Sequence, residues 1–338
     1  MSTRFVAAIP QPAAVSPAEF QPGRDLTGIC DFSPPELQAV LDLTARVKAR
    51  PADFREALSG KQVALFFEKP SLRTRITFEA GVASLGGTAF FIDQTHSPLG
   101  AREKLSDMAH NLERWVHALV LRTFEHATVS TMADHASIPV VNGLSEREHP
   151  CQALADYFTL REIFGDLGKI KLAYVGDGNN VANSLMLAAT SLGSAIRVAV
   201  PEGYEPSAAI VAQARERAAL TGGSLALFTN PAEAVAGCDA VYTDVWASMG
   251  QEEETEGRRA IFAPYRVDHR LLAQAAPHAV FMHCLPAHRG DEVTDEVMDS
   301  PQSVVFDQAE NRLHVQKAIL LLLLGGDMRR LPPRSSRG

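Results

Sequence analysis

The sequence predicts an α/β protein of two domains, each built on a parallel β-sheet flanked by helices. Its 338 residues exceed what one compact hydrophobic core usually supports and suit two domains. Short apolar runs alternate with helical stretches along most of the chain, which is typical of parallel sheets with right-handed crossovers. Polar clusters follow several of these runs, at the positions where parallel sheets bind ligands.

The apolar runs predicted to be buried strands are short and lie in both halves of the chain. They are Val63–Phe67, Ala89–Ile92, Ala118–Leu121, Leu172–Val175, Ile196–Val200, Val241–Thr243 and Val280–His283. A helix is predicted from Ser33 onward, where proline stands near the start of a helical pattern. A second predicted helix, Gln152–Phe164, would bridge the two domains.

These elements set the expected domain boundaries. We expect residues 1–25, rich in Pro and Ala, to form a mobile leader. We predict a first domain over residues 26–155, a second over residues 156–309, and a closing helix over residues 310–326 that returns to the first domain.

The composition excludes several classes of protein. A hydrophobic content of 46% argues against a disordered chain, and a net charge of -8 argues against a general nucleic-acid binder. The apolar run Ile319–Leu324 is much shorter than the roughly 20 residues that span a bilayer, so we expect no membrane segment. Four scattered cysteines suit a reducing compartment, and we predict a cytoplasmic protein.

The first polar cluster, Lys69–Arg75, follows a predicted strand and opens a helix. Ser71 is a good N-cap, and the free N–H groups at a helix start bind anions. Arg73 adds a planar guanidinium suited to phosphate oxygens. A capped helix with solvated arginines explains the cluster equally well.

Two further clusters offer hydrogen-bond donors. Arg122 ends a predicted strand, where it could hold phosphate or a carbonyl oxygen, or serve as a structural ion-pair partner. His149 and Gln152 stand three residues apart at a helix start, so together they could present a donor and an amide to a small planar group. A capping or buried structural role for His149 is the alternative.

The segment Gly176–Asn180 superficially resembles a dinucleotide-binding loop. The third glycine of that motif would fall at Val181, and no clear ribose-binding acid ends the next strand. Asn179 and Asn180 could instead clasp a carboxylate from the start of the helix.

Two more strand ends carry reactive groups. Asp244 offers a carboxylate to an ammonium group and precedes a glycine-ended loop. Cys284 stands beside His283, which suggests a nucleophile, although such a pair without a third orienting group is usually structural. The histidines include no His-x-x-x-His pair on a helix, so no metal site is expected.

Taken together, these clusters resemble the carbamoyltransferase family, in particular its ornithine-using members. The similarity runs from about Gly28 to Gly326. It depends on Phe67–Arg75, Arg122-Thr123, His149–Gln152, Asp244–Glu252, His283–Gly290 and Glu310–Arg312.

The resemblance implies transfer of the carbamoyl group from carbamoyl phosphate to the side-chain amine of L-ornithine, without a metal or cofactor. The implied carbamoyl phosphate ligands are Ser71, Leu72, Arg73, Thr74, Arg122, His149, Gln152, Cys284, Leu285 and Arg312. The implied ornithine ligands are Asn180, Asp244, Ser248 and Met249. Arg122, His149, Asp244 and Cys284 are the implied catalytic residues.

The resemblance further implies a homotrimer, alone or stacked into a larger assembly, in which a neighbouring subunit completes each site. Two positions depart from the family pattern. Leu72 stands where the family usually has Thr, and Pro98 stands where the neighbour's loop usually carries Gln or His. Because proline donates no hydrogen bond, His96 or Arg102 is the expected replacement.

Other functions remain open at this stage. The amine could be N-acylated ornithine, putrescine or aspartate, or the chain could be a catalytically silent homologue. The segment Ser248-Met249-Gly250 resembles the family's ornithine-binding loop and favours free ornithine, in arginine biosynthesis or in arginine breakdown.

Overall fold

A computed structural model describes residues 20–246 and 255–325. The chain divides into two compact units. One contains the described residues of Pro12–Cys151 and Arg312–Gly338, and is called here the N-terminal unit; the other contains those of Gln152–Asn311, and is called the central unit.

Each unit holds one fully parallel sheet. The N-terminal unit contains β1 (Gln62–Phe67), β2 (Thr88–Asp93), β3 (Ala118–Arg122) and β4 (Val140–Leu144), in the order β2-β1-β3-β4. The central unit contains β5 (Lys171–Val175), β6 (Ala195–Ala199), β7 (Ser224–Phe228), β8 (Ala240–Thr243) and β9 (Val280–His283), in the order β7-β6-β5-β8-β9. The predicted fold class is confirmed.

Helices connect the strands. They are α1 (Pro34–Ala49), α2 (Leu72–Ser84), α3 (Leu105–Leu112), α4 (His126–His135), α5 (Pro150–Phe164), α6 (Asn180–Ser191), α7 (Ala208–Thr221), α8 (Pro231–Val235), α9 (Thr255–Phe262), α10 (His269–Leu272), α11 (Asp295–Met298) and α12 (Val305–Leu323). The chain passes from one unit to the other within α5 and again within α12.

The last helix returns to the N-terminal unit, as predicted. Its C-terminal end accepts a hydrogen bond from the Gly23 N–H at the Leu323 carbonyl, and Ile319–Leu323 are buried. The helix begins at Val305, five residues before the predicted start. The described residues of the segment expected to be a leader, from Phe20 to Asp25, include a buried phenylalanine. None of the described helices is both long and apolar enough to cross a bilayer.

Two strands were not predicted, and each has a physical reason. In β4 the apolar run is interrupted by Asn142 and Gly143, although all but its last residue are buried. In β7, which forms an edge of its sheet, the side chains are partly or fully exposed, so no continuous apolar run marks the strand.

The strand order places the polar clusters. From β1 the chain runs outward to β2 and then returns to the other side of β1 as β3. From β5 it runs outward to β6 and β7 and returns beside β5 as β8. Ligands of open parallel sheets bind at such reversals, beyond the C-terminal ends of the two central strands. Those ends are at Phe67 and Arg122 in one unit, and at Val175 and Thr243 in the other.

Candidate active site

The loop after β1 builds an anion-binding turn in the N-terminal unit. Ser71 caps α2, because its Oγ accepts a hydrogen bond from the Thr74 N–H at 3.4 Å. The next N–H groups of the first turn have no partner within the helix, and the helix dipole makes this end positive. The side chain of Arg73, partly exposed in the same turn, makes no hydrogen bond or ion pair to any described residue. The turn therefore carries donors and positive charge for an anion.

Leu72 contributes only its backbone to this turn. Its side chain is 74% exposed at the first position of α2. A threonine hydroxyl at this position would also be directed to the surface unless a ligand or neighbour covered it. The departure from the family pattern thus leaves the helix N–H groups intact.

Three buried cationic or basic side chains lie beside this turn. Arg122 ends β3, His149 directly precedes α5, and Arg312 lies on α12 and donates from Nη2 to the Thr74 Oγ1 at 2.8 Å. Burial, and then the charges of Arg312 and Arg122, hold the pKa of His149 well below its usual value. The imidazole is therefore neutral at pH 7 and offers one N–H donor and one acceptor.

Glu68 fixes the two loops around this cluster, a role that no sequence pattern indicated. Its Oε1 accepts from the Leu99 N–H and its Oε2 from the Phe124 N–H, both at 2.9 Å. The Lys69 Nζ lies 4.4 Å from the centre of the Phe124 ring. The bond from Leu99 gives the loop Thr95–Lys104 a partner within its own chain.

The loop after β5 in the central unit is shaped by packing against protein backbone. A Cβ at Gly178 would lie 2.4 Å from the Pro206 nitrogen and 2.5 Å from the Tyr204 oxygen. Glycine is required here by this close approach of the chain to itself, which needs no nucleotide. The structure therefore gives no support to the dinucleotide alternative.

Asn179 connects this loop to Asp244 at the end of β8. Its Oδ1 accepts from the Val181 and Ala182 N–H groups, which caps α6, and its Nδ2 donates to the Asp244 Oδ2 at 2.9 Å. The pair of asparagines was predicted to clasp a carboxylate. The carboxylate that Asn179 binds is the side chain of Asp244 and not a ligand. Asn180 begins α6 and is partly exposed.

Cys284 follows β9 and donates a hydrogen bond from its thiol to the Asp244 Oδ1 at 2.9 Å. Burial, followed by the negative charge of Asp244, raises the pKa of Cys284 well above its usual value. The thiol is therefore protonated at neutral pH, which makes it a hydrogen-bond donor and a poor nucleophile.

Asp244, His283 and Cys284 bring possible metal-ligand atoms within 4.8 Å of one another, a grouping that the histidine spacing did not predict. Each already has a protein partner. The thiol bonds to Asp244, the Asp244 Oδ2 accepts from Asn179, and the His283 Nδ1 accepts from the Leu285 N–H at 2.8 Å. This last bond closes a turn in which Leu285 takes a positive φ of 59° before a cis bond to Pro286.

The remaining predicted residues are Gln152, Ser248 and Met249. Gln152 lies in the first turn of α5, is fully buried, and donates from Nε2 to the Asp156 Oδ1 at 2.8 Å. Ser248 and Met249 lie outside the described residues. The site residues thus form two sets, one at the strand reversal of each unit.

Family models match both units of the chain. Residues 24–162 match the carbamoyl-P binding domain of aspartate/ornithine carbamoyltransferases, and residues 168–323 match the Asp/Orn binding domain. The chain belongs to the aspartate/ornithine carbamoyltransferase family.

Relatives within this carbamoyltransferase family share about half of the sequence. The ornithine carbamoyltransferase of Pyrococcus abyssi is 50% identical over 306 residues, which cover 90% of this chain and 96% of the relative. That of Symbiobacterium thermophilum is 52% identical over 306 residues, or 89% of this chain and 98% of the relative. The solved structure of the Pyrococcus furiosus ornithine carbamoyltransferase has a TM-score of 0.88 at 49% identity, covering 91% of this chain and 99% of that one.

The electrostatics of Cys284 lead to a testable expectation. Although Cys284 and Cys30 are both partly exposed residues, we expect Cys284 to react more slowly with iodoacetamide at pH 8, because the burial of its thiol and then the charge of Asp244 raise its pKa and disfavour the thiolate. Asp244→Asn should accelerate its alkylation, because it removes one of the causes that raise the pKa of the thiol. Peptide mass spectrometry over time measures both rates.

Asp239→Asn is the matched control, since Asp239 lies at the opposite end of β8 and bonds to the Lys171 N–H. This variant should leave the Cys284 rate unchanged. Rapid alkylation of Cys284 in the wild type, with no response to Asp244→Asn, would show that the carboxylate does not control the thiol.

Proposed function

We propose that this chain is an ornithine carbamoyltransferase that converts carbamoyl phosphate and L-ornithine into citrulline and phosphate. The observation that carries the proposal is the buried group of Arg122, His149 and Arg312 beside the capped start of α2. This group offers positive charge and hydrogen-bond donors to a phosphorylated carbonyl compound. The chain is also about half identical to proteins named ornithine carbamoyltransferase.

The phosphate is assigned to the first turn of α2. Ser71, Leu72, Arg73 and Thr74 form that turn, with N–H donors from the backbone and a guanidinium from Arg73. Arg312 supports the same turn through its bond to Thr74. Positive charge here stabilises the dianion that leaves during the reaction.

The carbamoyl group is assigned to Arg122, His149 and Gln152. Nucleophilic attack places negative charge on the carbonyl oxygen. Preorganised hydrogen-bond donors at that oxygen stabilise this charge, which usually makes the largest single contribution to lowering the activation barrier. Arg122 provides a permanent cation. Neutral His149 provides an N–H donor. Its protonation state does not change near pH 7, because its pKa is held well below the usual value.

Ornithine is assigned to Asn180, Asp244, Ser248 and Met249, with Cys284 and the Leu285 carbonyl near its side-chain amine. Asp244 is a preformed acceptor, since Asn179 and Cys284 hold its two oxygens. The neutral amine attacks the carbamoyl carbon, the bond from that carbon to the phosphate oxygen breaks, and the departing phosphate takes up the proton that the nitrogen loses. A free δ-amine has a pKa near that of lysine, about 10.4, so the attacking form is scarce at pH 7.

The choice of amine is the first prediction of this proposal. Purified protein supplied with carbamoyl phosphate should form a ureido product from L-ornithine, and far less from N-acetylornithine, putrescine or L-aspartate. Colorimetric ureido detection and mass spectrometry identify each product. Turnover restricted to an acylated amine or to aspartate would assign another member of the family, and no turnover in folded protein would indicate a silent homologue.

We further propose that the protein acts as a homotrimer, alone or in larger multiples, in the cytoplasm and in arginine biosynthesis. Exposed apolar side chains on α2 and the edge strand β2, namely Leu72, Ile76 and Phe90, support a subunit interface. The exposed positions of His96 and Arg102 in the loop before α3 suit residues that reach a neighbour. The relative from Pyrococcus furiosus is named an anabolic ornithine carbamoyltransferase.

A mixing experiment tests the shared site. Arg73→Ala and the double variant His96→Ala/Arg102→Ala should each lose most activity. Hybrid trimers made by mixing and reassembling them should regain part of it, because some sites then combine an intact Arg73 with an intact neighbouring loop. Sedimentation should show a trimer or a multiple of three. A fully active monomer, or hybrids without recovered activity, would refute a site completed by a neighbour.

A further inference from the structure

Gln152 carries a buried acceptor that no described residue satisfies. Its side chain is 1% exposed, and its Nε2 donates to the Asp156 Oδ1 at 2.8 Å. Its Oε1 is buried and makes no hydrogen bond to any residue that the structure describes. Buried polar atoms without partners are costly and uncommon in folded proteins. The unsatisfied oxygen is therefore available to a ligand group that donates.

The direction of this amide is imposed by a chain of hydrogen bonds in the central unit. The His283 backbone N–H, which can only donate, bonds to the Gln308 Oε1 at 3.0 Å. The Gln308 Nε2 must then point the other way, and it donates to the Asp156 Oδ1 at 2.7 Å. The same carboxylate oxygen accepts from Gln152. Because this oxygen is the acceptor for Gln308, Gln152 presents its NH2 to Asp156 and leaves its own oxygen for a ligand.

We propose that Asp156 is a positioning residue that orients Gln152 so that its oxygen accepts from the carbamoyl NH2 group. This inference rests on the proposed function. Carbamoyl phosphate and acetyl phosphate have similar shapes, but one carries NH2 where the other carries CH3. An oriented acceptor at that position forms a hydrogen bond with carbamoyl phosphate that acetyl phosphate cannot form. Asp156 thereby sets acyl-group specificity without touching the substrate.

The orientation matters because the two ends of a glutamine amide are nearly the same size. Without Asp156 the amide can rotate by about 180° and place its NH2 against the substrate NH2, so that a donor faces a donor. Asparagine at position 156 would keep the correct direction, because the Gln308 NH2 still requires an oxygen opposite it. The alanine and asparagine variants therefore separate hydrogen-bond direction from negative charge.

The experiment measures kcat/KM for carbamoyl phosphate and the inhibition constant of acetyl phosphate competing with it. For Asp156→Ala we expect kcat/KM for carbamoyl phosphate to fall roughly 10- to 100-fold. This is the scale of one buried hydrogen bond that is lost or replaced by two donors facing each other. The inhibition constant of acetyl phosphate should stay within about threefold of its wild-type value, since no hydrogen bond to its methyl group is lost. Asp156→Asn should recover most of the loss.

Thr159→Val is the matched control. Thr159 lies about one turn further along α5, is buried, and bonds to the Ala155 carbonyl and to Asn311. This variant removes a comparable buried polar group and should leave the preference for carbamoyl over acetyl phosphate unchanged. If Asp156→Ala does not fold, Asp156→Ser keeps a polar side chain but permits both amide directions, and it should show the same selective loss.

A parallel rise in the acetyl phosphate constant, or failure of Asp156→Asn to recover activity, would overturn the positioning role. Unchanged kinetics in Asp156→Ala would overturn it as well. Wild-type protein that forms no ureido product would instead refute the proposed function. The two failures are thus distinguishable.

Discussion

The structure depends on a concentration of buried positive charge in the N-terminal unit. Arg122 and Arg312 are almost completely buried, and their charges act on His149 together with its own burial. Keeping such groups out of water is expensive unless they are compensated by partners or by a ligand. The capped first turn of α2 adds donors of the same polarity. A phosphate dianion with an adjacent carbonyl oxygen fits this environment, and a cationic or apolar ligand does not.

Asp244 is the corresponding negative centre of the central unit. Its carboxylate is held by the Asn179 amide and by the Cys284 thiol, and its charge helps to keep that thiol protonated. This fixes the role of Cys284 as a donor rather than a covalent nucleophile. A positive centre for a leaving phosphate and a negative centre for an amino acid are the two electrostatic requirements of carbamoyl transfer to ornithine.

Much of the fold followed from the sequence, because buried parallel strands produce apolar runs. The strands that escaped prediction lack such runs, owing to Asn142 and Gly143 in β4 and to solvent exposure in β7. The polar residues after the central strands were recognised because strand ends are where parallel sheets bind ligands. The roles of Glu68 and Asp156 were not recognised, and for Asn179 the sequence did not indicate that the carboxylate it binds is that of Asp244. Each depends on contacts between segments distant in sequence, which no local pattern reveals.

The central claim is that the start of α2 and the buried arginines form a phosphate site. Thermal unfolding in increasing inorganic phosphate, compared with chloride at equal ionic strength, tests it most directly. A ligand that binds only folded protein at a hundred times its dissociation constant stabilises it by about 2.7 kcal/mol. We predict that phosphate raises Tm of the wild type and of Arg55→Ala, an exposed arginine beside Phe54, but not of Arg73→Ala. Equal shifts in all three proteins, or none beyond that of chloride, would contradict the account.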